Sequence, residues 1–134
     1  MTQKRVLICL LALCAFSLLL TACGEKEESL PDISVELTVS PDPATVGPAT
    51  VVVTLHDADE QAIGGAEMEL EGTMTHAGMT PVFADAVETA TGQYKAELEF
   101  TMGGDWVIIV RATLPDGRSL ERQIDVPGVQ SPDV

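Results

Sequence analysis

Met74, His76 and Met79 stand within one six-residue stretch, MTHAGM, and Met102 and Trp106 follow in FTMGGDW. Thioether sulfur is a soft, neutral donor suited to Cu(I), and imidazole serves copper in both oxidation states. Thioethers need no deprotonation and form no disulfides, so they suit an oxidising compartment. If residues 72–76 are extended, Met74 and His76 project to the same side about 7 Å apart. Gly78 can adopt a positive φ and turn Met79 back toward His76. A compact Met/His pocket is one expectation, with Met102 as a fourth ligand. Packing is the other, because methionine fills irregular gaps in cores and so short a pattern is not specific.

The elements that would carry these side chains read as strands. ISVELTV (33–39) alternates apolar and polar residues, and the SPDP that follows is a loop. ATVVVTLH (49–56) is β-branched and continuous, and AEMELE (66–71) alternates strictly. VFADAVE (82–88) is a weaker strand closed by TATG, and YKAELEFTM (94–102) alternates most clearly. WVIIVRAT (106–113) and RSLERQIDV (118–126) flank a PDG turn. Seven short strands without helical periodicity predict an all-β chain, an immunoglobulin-like antiparallel β-sandwich. Leu37, Val53, Leu55, Leu70, Leu98, Phe100, Trp106 and Ile108 are its expected core. Met68 shares a face with Ala66 and Leu70 and is expected in that core too. Met102 extends the apolar face of Tyr94, Ala96, Leu98 and Phe100, so it is either the last core residue of its strand or a ligand at the rim. His56 ends a strand and is expected at the surface.

No enzymatic constellation accompanies these donors. The chain has no glycine-rich phosphate loop, no serine elbow and no Cys/His pair. Its glutamates at 67, 69, 71, 97 and 99 alternate as solvent faces do. The DADE turn beginning at Asp57 lacks the glycine and the distant bidentate glutamate of an EF-hand. A non-catalytic protein is expected.

The N-terminus addresses the compartment. Lys4 and Arg5 precede an apolar run through Leu20, and LTAC ends at Cys23. This order is a secretory signal rather than a spanning helix. The LTAC box resembles a bacterial lipoprotein signal, which implies cleavage before Cys23 and lipidation of that residue. The expected organisation is a signal peptide over 1–22, a lipidated tether over 23–32, a β-sandwich domain over 33–126 and a flexible tail over 127–134. Cys9 and Cys14 would leave with the signal and Cys23 would carry lipid, so no thiol remains for a disulfide. The expected location is extracytoplasmic, in the cell envelope, with the membrane engaged through the anchor.

Charge narrows the partners. The formal net charge is −14, and loss of Lys4 and Arg5 leaves five basic residues against twenty-one acidic ones, or −16. Such a surface repels nucleic acid and anionic lipid and attracts cations.

From about Thr50 to Val126 the chain resembles the YtkA-like/FixH-like family of small extracytoplasmic domains. The residues carrying the resemblance are VVVTLHDAD, GAEMELEGTMTHAGMTP, GQYKAELEFTMGGDW and LPDG. The resemblance implies an immunoglobulin-like sandwich and an association with copper handling and respiratory oxidase assembly. It also implies a Met/His cluster at Met74, His76 and Met79, with Met102 beside it. FixH-type members carry a membrane helix, whereas this chain has a lipobox. The expected function is a lipid-anchored domain that binds copper, as Cu(I), and delivers it to an envelope or respiratory protein. The alternative is a non-metal immunoglobulin-like accessory module that binds another envelope protein.

Overall fold

The computed structural model describes residues 32–76 and 78–132; the signal, the tether and Cys23 lie outside the described residues. Seven strands follow in order: β1 (Ser34–Ser40), β2 (Gly47–His56), β3 (Glu67–Met74), β4 (Val82–Ala90), β5 (Gln93–Phe100), β6 (Gly104–Thr113) and β7 (Ser119–Val129). No helix occurs among the described residues. All strand pairs are antiparallel, in the order β1-β2-β5-β4-β3-β6-β7.

The sheet folds into a sandwich at β4. Its first half pairs with β3, from Val82 opposite Gly72 to Ala86 opposite Met68. Its second half pairs with β5, with Val87 opposite Lys95, and the register shifts between Glu88 and Ala90. Strands that change partners at a bulge make the corners of such sandwiches. The outer strands β1 and β7 then come close enough to make the sandwich nearly a barrel. At one end Arg122 Nη2 donates to the Ile33 carbonyl at 3.5 Å. At the other end the Val46 N–H donates to the Gln130 carbonyl and the Gln130 N–H to the Ala44 carbonyl, both at 2.8 Å.

Period-two alternation determines what fills the interior. β5 buries Tyr94, Ala96, Leu98 and Phe100 and exposes every residue between them. β6 buries Trp106, Ile108, Val110 and Ala112. Seven of the eight expected core residues are buried, and Met68 joins them. Leu37 is only partly buried, because β1 is an outer strand with a neighbour on one side only.

Among the strand ends that differ from the sequence expectation, two bear on the site and the tail. β5 stops at Phe100 rather than Met102, since Gly103 and Gly104 let the chain turn into β6. β7 continues through Val129, which is buried, and Gln130 bonds back to residues 44 and 46. The chain expected to fray from residue 127 is therefore held for three more residues and one bridge, because closure of the barrel gives it a partner.

Candidate metal site at one pole of the sandwich

Register places the sulfur and imidazole donors at one pole. β3 ends there, with Met74 opposite Trp106 on β6. β5 ends there as well, with Phe100 opposite Gly47, and β6 begins there, with Gly104 opposite Val129. The 75–81 connection and the 101–103 turn therefore emerge side by side.

The base of this pole is aromatic. Trp106 and Phe100 meet edge to face, with ring centroids 5.0 Å apart and planes at 74°. The indole is buried, and its Nε1–H donates to the Met102 carbonyl at 2.9 Å. A buried indole needs such an acceptor, and here the acceptor is main chain of the turn. Gly72 lies beneath: a Cβ there would sit 2.9 Å from Val82 Cγ2, 3.0 Å from Leu98 Cδ2 and 3.4 Å from Trp106 Cζ3. Only glycine lets these side chains close over β3.

The four candidate donors have different surroundings. Met74 is buried, 8% exposed, and its methyl lies 2.9 Å from where a Cβ on Gly104 would be. His76 is exposed in a bend just beyond β3. Gly78 takes a φ of 97°, the positive value expected of it, with open space where a Cβ would be. Met79 is partly buried against the core, and Met102 is 45% exposed. Met74 and His76 therefore do not continue one strand face, because β3 ends at Met74 and the chain bends at once. Met74 faces the core and His76 faces solvent. Met102 is likewise not a core side chain; it sits on the turn, anchored through its carbonyl with its thioether outward. Among the described residues no group of three or more His, Cys, Asp or Glu side chains converges.

The opposite pole has a polar clamp that the sequence reading did not single out. Tyr94 is buried; its hydroxyl donates to the Ile63 carbonyl at 2.8 Å and accepts from the Ala66 N–H at 3.0 Å. Burial pushes its pKa above the ordinary 10.0; the Ala66 hydrogen bond opposes this and the nearby Glu88 charge adds to it. Glu88 accepts from the Gly65 N–H at 3.0 Å and the Gly92 N–H at 3.1 Å. His56 is half-buried at this pole rather than fully at the surface, bridged to Ala62. Asp57 accepts from the N–H groups of Asp59 and Gln61, both at 2.9 Å, which makes the DADE segment a self-bonded turn.

The profile of the YtkA-like family matches residues 27–111, well over half of the chain. The chain belongs to the YtkA-like family. The match takes in β1 to β6 up to Arg111, and with it both donor turns of the YtkA-like domain. No curated protein matches significantly. Among solved structures, the chain is similar to MtrC from Shewanella baltica OS185, at 15% identity and a TM-score of 0.44 over 75% of this chain. It spans 23% of the length of MtrC, so nothing of that protein's own activity is transferred.

Proposed function

We propose that this YtkA-like domain is a lipid-anchored, extracytoplasmic binder of Cu(I) that passes the ion to an envelope partner. The observation that carries the reading is the pairing of turns at one pole. His76 and Met79 on one turn and Met102 on the next offer an imidazole and two thioethers within reach of solvent. A soft, neutral donor set of this kind suits a monovalent soft cation. Met74 would serve only if its sulfur turned outward from beneath Gly104, so it is the weakest of the four. The acidic surface would raise the local concentration of cations without choosing among them, which leaves selectivity to sulfur. Donors at a rim favour exchange over storage.

The anchor suits that role. The segment from Cys23 leads into β1 at Ser34, which lies opposite His56 at the pole away from the donors. A lipid on Cys23 would thus join the domain at the pole opposite the Met/His turns.

Competition against a Cu(I) chelator tests the reading on the domain lacking residues 1–23. About one equivalent should bind, and His76→Ala and Met79→Ala should each weaken binding by at least ~10-fold. The burial of Met74 favours the other reading, an accessory module in which this stretch is packing. That reading wins if the His76→Ala/Met79→Ala double variant holds copper as tightly as the parent.

A further inference from the structure

The outward face of β4-β3-β6-β7 carries large apolar side chains that the fold does not use. Phe83 on β4 is 60% exposed although it lies within a regular strand. Register sets it in a row with Glu71, Ile109 and Gln123, while the next row holds Thr73, Val107 and Asp125. Val107 and Ile109 are partly exposed and point away from the core, since Trp106, Ile108 and Val110 take the inward positions.

Carboxylates surround this strip. Asp85, Glu69, Arg111 and Glu121 form the following row, and Glu67 lies beyond it. Arg111 is the single basic residue at an outward position of these four strands among the described residues. It is already committed: its Nη1 donates to Glu71 at 2.6 Å and its Nε to Glu121 at 2.8 Å. Glu71 lies between Phe83 and Ile109 in their row, and its carboxylate is engaged by Arg111 rather than left free. Glu67 and Asp125 have no basic residue in their rows, Asp85 is separated from Arg111 by Glu69, and Glu69 reaches Arg111 only at 3.8 Å.

We infer that this face is a docking surface for a second protein whose contact patch sets lysine or arginine side chains around an apolar anchor. An apolar centre rimmed by charge is the anatomy of a protein interface, and the sign of the rim selects the partner. Charge disfavours the nearer occupants. A second copy of this chain would bring a net −14 against the same acidic rim. The segment over 24–32 carries Glu25, Glu27, Glu28 and Asp32 against Lys26, and residues 127–134 carry Asp133 and no base. An anionic lipid surface is repelled for the same reason. The surface is independent of the copper reading, because none of its residues is a candidate donor.

The test uses the full chain in nanodiscs of zwitterionic lipid, with a short peptide alternating lysine and valine as the probe and its glutamate–valine counterpart as the control. Amide shifts should concentrate at Thr73, Phe83, Val107, Ile109 and Gln123, with none from the control. Phe83→Ser and Ile109→Ser should each weaken binding about tenfold, the loss expected of an interface anchor. Phe83 is exposed enough that its replacement leaves the fold intact, which the dispersion of the remaining amides verifies. Shifts spread equally over Glu97 and Glu99 on β5, or unchanged affinity in both variants, would mean attraction by charge alone and overturn the proposal. Concentration-dependent cross-linking of two chains through this face would overturn it in favour of a homodimer.

Discussion

The Trp106 indole Nε1 donates to the Met102 carbonyl at 2.9 Å, so one residue closes the core while the other leaves its side chain in solvent. Structure and chemistry at the donor pole are therefore separable. Met102→Ala keeps the carbonyl, and its melting temperature should stay close to that of the parent while Cu(I) affinity falls. Trp106→Ala empties the pole and should cost about 3–5 kcal/mol in denaturant unfolding. If Met102→Ala changed neither stability nor copper affinity, Met102 would be no ligand.

Gly72 carries a steric prediction. Its missing side chain is occupied by Val82, Leu98 and Trp106, with the nearest atom 2.9 Å from where a Cβ would sit. Gly72→Ala should destabilise the domain by about 1–3 kcal/mol through overpacking. Equal stability of the two proteins by urea titration would show that β3 and β4 part without strain.

Tyr94 links the opposite pole to pH. Its folded pKa lies above the ordinary 10.0, chiefly through burial, so the folded protein holds the phenol proton more tightly than the unfolded chain. That contribution is complete below pH 10.0 and is lost as pH rises through the folded value. Stability should fall in this alkaline window, and the Tyr94→Phe variant should lack that part of the fall. At neutral pH the variant should be weaker by about 1–3 kcal/mol, because the Ile63 carbonyl and Ala66 N–H lose their partner. A thermal-melting series from neutral pH upward measures both effects.

Cys23 carries the localisation prediction. A lipoprotein keeps several acyl chains on one cysteine, and multiple chains hold a protein at a bilayer where one binds only marginally. Cys23→Ser should move the protein from the membrane to the soluble fraction on cell fractionation. Retention equal to the parent would exclude this residue as the anchor.

How much was legible in the sequence depended on the range of the interaction. Strand existence, the apolar face of each strand and the turn at Gly78 were readable from neighbours a few residues apart. Side-chain direction alternates with a period of two, and glycine alone takes positive φ without strain. Those local rules suffice to assign Leu70, Leu98, Phe100, Trp106 and Ile108 to the core. The sheet order, the change of partner along β4 and the closure that holds Gln130 against Ala44 and Val46 were decided only by tertiary structure. The same is true of the candidate site. The residues alone put Met74 on one side with His76 and left Met102 either core or rim ligand, yet Met74 lies under Gly104 and Met102 is exposed. Arg111 and Glu71, forty residues apart, meet only because β3 and β6 are neighbours. Burial at a strand end and pairing across the chain depend on which strands lie alongside, and no local pattern of residues encodes that.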